Sequence, residues 1–211
     1  VIDGDAYIEE VILHSAIKNL DVIPATVDLA GAEIDLVQMP NREHIVKNRL
    51  NRVRDNYDFI VIDCPPSLGL LTVNALTASD AIVIPIQCEF YALEGLTQLM
   101  NTIKLVKKHL NPNLDVEGVV LTMKDSRSNL INQVSNEITT FFGKKVFTTA
   151  IPRNVRLAEA PSHGVPIGAY DSSSKGAKAY LALAEEILKR NNMEYENATT
   201  KIKIDEGENN D

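Results

Sequence analysis

The sequence predicts an α/β domain: a doubly wound, mostly parallel sheet with helices on its faces. Short β-branched runs alternate with helical patterns along the chain, as βαβ units require. Three of these runs, Phe59-Ile60-Val61-Ile62, Ala81-Ile82-Val83-Ile84 and Val119-Val120-Leu121, are apolar at consecutive rather than alternate positions. Strands covered on both faces read this way. A length of 211 residues suits one ordinary domain and leaves little room for a second.

The elements follow in order. Leu20 to Ile23 reads as a short strand, and residues 42–55 as a helix that is polar and basic on one side. Phe59 to Ile62 is a buried strand by pattern, followed by a short helix over Leu71 to Leu76 and a strand over Ala81 to Ile84. Leu93, Leu96, Met100, Ile103, Val106 and Leu110 recur at spacings of three and four, which gives a helix one apolar face. Val119 to Leu121 is the next strand, Ser128 to Phe142 a helix, Val146 to Ile151 a weaker strand, and Ser173 to Lys189 a final helix. Beyond Arg190 the periodicity stops. Residues 191–211 hold six acids and two lysines, so they read as a solvated, disordered tail behind a domain over residues 1–190. No repeat and no interdomain linker is evident.

Hydrophobic residues at 45% and charged residues at 24% are a folding composition, which excludes wholesale disorder and collagen-like repeats. The net charge of −8 excludes an overall basic nucleic-acid coat, though not a local basic patch. Cys64 and Cys88 cannot make a four-thiolate site in one chain, and the histidines at 14, 44, 109 and 163 lack ligand spacing. No stretch reaches the roughly 18 apolar residues of a membrane span, so a soluble chain is expected.

The most informative segment is Tyr57-Asp58-Phe59-Ile60-Val61-Ile62-Asp63-Cys64-Pro65-Pro66-Ser67-Leu68-Gly69. Four apolar residues lead to Asp63, at the strand end where open α/β sheets bind their ligands. A Walker B carboxylate belongs there, holding a water of hydrated Mg²⁺, which dehydrates reluctantly. Pro65-Pro66 bars further ladder hydrogen bonding, and Gly69 leaves room for close approach of a phosphate.

That segment, with Leu70 to Leu76, Pro85 to Leu96 and Ile151-Pro152-Arg153-Asn154-Val155-Arg156-Leu157-Ala158-Glu159-Ala160-Pro161-Ser162-His163-Gly164, resembles the ParA/Soj family of chromosome-partitioning ATPases. The likeness is collinear from about Asn19 to Arg190. It implies a P-loop NTPase-like fold, with ATP and Mg²⁺ as cofactors. Asp63 is then the Walker B acid, and Ser67 to Gly69 the loop that senses the γ-phosphate. Met123 and Pro152-Arg153-Asn154 become the adenine-side wall. Arg127 and Arg156 fall where the family grips DNA phosphates, and Lys124, Lys144 and Lys145 would enlarge that patch. The implied partners are an ATP-dependent second copy, non-specific DNA and a ParB-type centromere-binding protein that stimulates hydrolysis. The implied location is the cytoplasm, at the nucleoid, without a membrane.

One departure qualifies the likeness. The family opens with a Lys-Gly-Gly-Val-Gly-Lys-Thr loop, yet none of the ten glycines begins a G-x-x-x-x-G-K-[ST] match. The chain is therefore expected to be truncated at its N-terminus, to lack the P-loop strand and helix, and to be inactive alone. In the family that absent strand lies in mid-sheet. Two alternatives remain: a non-catalytic module that binds DNA or a partner, and a MinD-like division-site ATPase, against which the acidic tail argues.

Overall fold

The computed structural model describes residues 6–89, 92–125 and 128–193. The tail expected to be disordered lies outside the described residues from position 194 on. The described residues form two compact units, one from residues 6–15, 19–82 and 96–115, the other from residues 16–18, 83–95 and 116–193.

In the first unit, β1 (Leu13–His14) pairs antiparallel with β2 (Asp21–Val22). The run expected over Leu20 to Ile23 is thus a hairpin arm; Asn19 turns the chain with φ 62°, a conformation its short polar side chain tolerates. Helix α1 (Leu29–Gln38) was not expected. The helix expected over residues 42–55 is broken: a 3₁₀ turn at Arg42–His44, α2 (Ile45–Leu50), and a second 3₁₀ turn at Arg54–Asn56. Asn41, Asn48 and Asn51 compete with the helix for backbone groups, which favours such interruptions.

Helix α3 (Leu70–Ala78) is the centre of this unit. Its Asn74 is fully buried, donates to the carbonyls of Arg42 (2.7 Å) and Leu70 (3.0 Å), and accepts from the Val46 amide (3.2 Å). One amide thus fixes α3 against the 3₁₀ turn and α2, since a buried polar group left unpaired would cost about 1–3 kcal/mol. Helix α4 (Ala92–His109) follows the expected stripe: Leu96, Ile103 and Val106 are buried.

In the second unit, β3 (Ala81–Gln87) lies beside β4 (Asp115–Thr122). The chain joins them through α4, the kind of crossover parallel neighbours need. β4 is buried at Val119, Val120 and Leu121, as its unbroken apolar run requires. β3 alternates instead: Ile84 and Ile86 are buried, Val83 is exposed, so one of its faces is covered rather than two. On its other side β4 takes the segment expected over Val146 to Ile151. The Phe147 amide donates to Val119 and the Ile151 amide to Leu121, both at 2.8 Å, with parallel bridges at Val119–Val146 and Lys124–Pro152.

Helix α5 (Asn129–Phe142) starts at Ser128, whose side chain accepts from Ile131. Two short helices, α6 (Val155–Glu159) and α7 (Ile167–Tyr170), precede α8 (Lys175–Arg190), capped by Ser174. Val120, Phe147, Ile151 and Leu183 of α8 form the core, with Leu157, Ala179 and Ile187 against it. Each large side chain buried there contributes roughly 1.5–3 kcal/mol.

The expected strand over Phe59 to Ile62 is not formed. Phe59, Ile60 and Val61 are exposed and make no ladder among the described residues. An apolar run supplies the surface of a strand, but a strand exists only where another backbone takes its N–H and C=O groups.

Candidate functional site

The expected site residues fall into two groups, one per unit. Asp63, Ser67 and Gly69 lie in the first, on a segment secured near both ends. Before it, the Tyr57 hydroxyl donates to Asp21 at 2.7 Å. After it, the Thr72 hydroxyl donates to the Ser67 carbonyl at 2.6 Å. Between these anchors Asp63 and Cys64 reach the surface. Desolvation first and the Asp63 carboxylate second push the Cys64 thiol up, so it stays protonated and is not an activated nucleophile.

Gly69 caps the N-terminus of α3 with extended backbone. It is close to a side chain that sequence reasoning missed. Glu33 of α1 accepts from the Leu71 amide at 3.3 Å, and its carboxylate occupies the space a Cβ on Gly69 would need. A carboxylate there meets free helix amides and the positive end of the helix dipole. No sequence signal links Glu33 to Gly69, because the contact joins two helices 36 positions apart.

Met123, Pro152, Arg153, Asn154 and Arg156 lie in the second unit. Met123 ends β4 in left-handed backbone, φ 49°, and is half exposed. Such strain in a non-glycine residue persists only where its surroundings impose it. Here the next residue does so: the Lys124 amide donates to Ile151 at 3.0 Å, and Lys124 bridges to Pro152. Met123 and Pro152 are thereby brought to one end of the β4 edge, with Arg153 exposed beside them. Asn154 has a local task, since its side chain accepts from the Arg156 amide at 2.9 Å and starts α6.

Arg156 is exposed but engaged. Its Nη1 donates to Glu159 Oε2 at 2.8 Å, and its Nε lies 3.5 Å from Asp171 Oδ2. The Tyr170 hydroxyl donates to the same Glu159 oxygen at 3.3 Å, and the Tyr170 ring stacks on His163. Glu159 is legible from its i,i+3 spacing to Arg156; Asp171 is not. Arg127, expected to act with Arg156, lies outside the described residues. Lys145 is spent on structure, donating to the Val116 carbonyl at 2.8 Å. Among the described residues, no group of three or more His, Cys, Asp or Glu is placed to hold a metal, and no helix is long and apolar enough to cross a membrane.

Comparison with known proteins places the chain. Residues 1–116 match the sequence profile of an AAA domain. The chain is 59% identical to the sporulation initiation inhibitor protein Soj of Bacillus subtilis over 187 residues, covering 89% of this chain and 74% of that protein. It is 54% identical to the chromosome partitioning protein ParA of Myxococcus xanthus, over 89% of this chain and 66% of that one. Cobyrinic acid a,c-diamide synthase from Mycobacterium smegmatis, solved with bound ADP and magnesium, superposes with a TM-score of 0.76 at 32% identity, over 91% of this chain and 71% of that one. A doubly wound α/β fold of the P-loop NTPase type and a collinear sequence this similar have one reading: the chain belongs to the ParA/Soj family of chromosome-partitioning ATPases.

Proposed function

We propose that the chain carries the Walker B and phosphate-sensing part of an ATPase that partitions DNA by ATP-dependent dimerisation, non-specific DNA binding and hydrolysis stimulated by a ParB-type partner. The observation that carries this reading is the Asp63 to Gly69 segment, with an exposed carboxylate in its middle and a loop held at the head of α3. Asp63 suits a water-mediated contact to Mg²⁺, because a single exposed carboxylate binds such an ion through its hydration shell. When bound, Mg²⁺ neutralises charge on the β- and γ-phosphate oxygens. Ser67 and Gly69 then border the γ-phosphate, Met123, Pro152, Arg153 and Asn154 border the adenine, and Arg127 with Arg156 meets DNA phosphates. The protein acts in the cytoplasm at the nucleoid.

The residues present fit the carboxylate side of this site. The phosphate cradle G-x-x-x-x-G-K-[ST] does not occur within the 211 residues, which favours, as a second reading, a non-catalytic role for these residues alone. One experiment separates the two. A fusion supplying a family-type P-loop segment ahead of residue 1 is expected to bind and hydrolyse ATP with Mg²⁺, and Asp63→Ala in that fusion to lose most of the turnover. Equal turnover with and without the Asp63 carboxylate would remove it from the site; no nucleotide binding by the fusion would favour the non-catalytic role.

A further inference from the structure

Arg156 lies among acids of its own chain. Its guanidinium faces Glu159 and Asp171, and both carboxylates are held in place: Glu159 by the Tyr170 hydroxyl at 3.3 Å, Asp171 by the Ser173 amide at 3.1 Å and hydroxyl at 2.8 Å. The Tyr170 ring is in turn stacked on His163, with centroids 4.9 Å apart. The Arg156 side chain nevertheless keeps about half its surface exposed, at 53%. A guanidinium offers a planar fork of donors that fits carboxylate and phosphate alike. The two carboxylates therefore take up the same donors a nucleic-acid phosphate would use, and one positive charge against two negative ones gives the cluster no net attraction for a polyanion.

We propose that Glu159, seconded by Asp171, is an internal phosphate mimic on Arg156, so that DNA binding at α6 is an exchange of carboxylate for phosphate and Glu159 sets its affinity. The inference rests on the reading of Arg156 as a DNA contact and adds the residues that regulate it. The exchange is open to a phosphate because the pair is solvent-exposed, where ion pairs are weak and screened by salt. It also has direction: a phosphate reaches the Arg156 donors only by displacing the carboxylate that already takes them. Glu159 therefore raises the threshold for DNA binding.

The test uses the fusion that supplies a family-type P-loop segment ahead of residue 1, with Mg²⁺ and ATP, and a short duplex of arbitrary sequence, followed by fluorescence anisotropy across a salt series. Glu159→Gln keeps the shape and the Tyr170 contact while removing the charge, and is expected to tighten binding by about two- to fivefold at low salt, the gain shrinking as salt rises. Asp171→Asn, at the longer contact, is expected to give a smaller gain. Arg156→Ala should weaken binding and flatten the slope of log K against log salt by about 0.9. In the Arg156→Ala background, Glu159→Gln should give no gain. Thermal melts of each variant matching the parent confirm that the fold is kept. A gain that persists without Arg156 would mean general charge repulsion and overturn the exchange. Weaker binding by Arg156→Ala with no gain from Glu159→Gln would overturn it while the DNA reading stands. Unchanged binding by Arg156→Ala, or no DNA binding by a fusion that binds ATP, would overturn the DNA reading and the exchange with it.

Discussion

Two apolar runs of nearly the same composition end in opposite environments. Val119, Val120 and Leu121 in β4 are 0%, 4% and 4% exposed, while Phe59, Ile60 and Val61 are 43%, 39% and 89% exposed. The difference lies in what meets their backbones. β4 has β3 on one side, the Phe147 and Ile151 amides on the other, and the core residues of α8 above it. Arg190, at the end of α8, closes the arrangement: it donates to the carbonyls of Glu117 (3.0 Å), Lys145 (3.4 Å) and Val146 (3.2 Å), pairs with Glu186 at 2.9 Å, and lies 3.9 Å over the Phe147 ring. Residues 59–62 have no such neighbours among the described residues. Hydrophobicity is thus a demand that only other elements can meet, and an unmet demand leaves an edge open to intermolecular pairing.

The strongest way to break the β4 side of this comparison is Gly118→Ala. The added methyl would meet the Phe147 ring, the Arg190 guanidinium at 2.7 Å and the Lys145 carbonyl at 2.8 Å. A backbone carbonyl cannot swing aside as a side-chain end can, so the variant is expected to lose about 2–3 kcal/mol, read as a lower urea midpoint. An unchanged midpoint would mean that β4 is packed no more tightly than the exposed run.

Arg190→Ala comes next, at about 2 kcal/mol, through several carbonyl contacts and the stacking on Phe147. It also sharpens the comparison through pH. Burial raises the Glu186 carboxyl, but the Thr148 and Thr149 amides, the Thr149 side chain and Arg190 outweigh it and hold the group below its ordinary value. A carboxyl lowered in the folded state adds stability that is present above the unfolded pKa of about 4.3 and lost as pH falls through the folded one. Acidification through that window should therefore cost the wild type more than Arg190→Ala; parallel stability–pH curves would contradict this.

A smaller effect, about 1 kcal/mol, is expected from Gly69→Ala, whose methyl displaces the Glu33 carboxylate from the head of α3. Glu33→Ala should cost about as much, and the double variant little more than either, because both remove one interaction. Additive losses in a double-mutant cycle would show that Gly69 and Glu33 act separately. The smallest change belongs to the exposed run itself: Val61→Lys should shift stability by less than about 0.5 kcal/mol and reduce aggregation, measured by light scattering. A large loss of stability would show that Val61 is buried in solution after all.

Much of the framework was legible in the residues. The α4 stripe, the buried run of β4, and the helices expected over Ser128 to Phe142 and Ser173 to Lys189 follow from apolar spacing, which is local. The break of residues 42–55 and the helices α1 and α7 were missed; α7 is a single turn, too short for periodicity to register. At the site, Asp63, Gly69 and Arg156 stood out as residue types in a motif. Glu33 and Asp171 did not, because each acts across a distance in sequence that no pattern spans.

By itself, the sequence determined the α/β class, the helix faces, the family and the carboxylate that ends its apolar run, since periodicity, caps and collinear motifs are carried by neighbouring residues. Only the tertiary structure decided which apolar run becomes a strand, that Asn74 and Arg190 are the polar ties within their units, and that Glu33 and Glu159 occupy places an anion would seek. The physical reason is the same in each case. A backbone ladder, a buried hydrogen bond and an ion pair need two partners, and where the second partner stands is settled by the fold of the whole unit rather than by the residues beside the first.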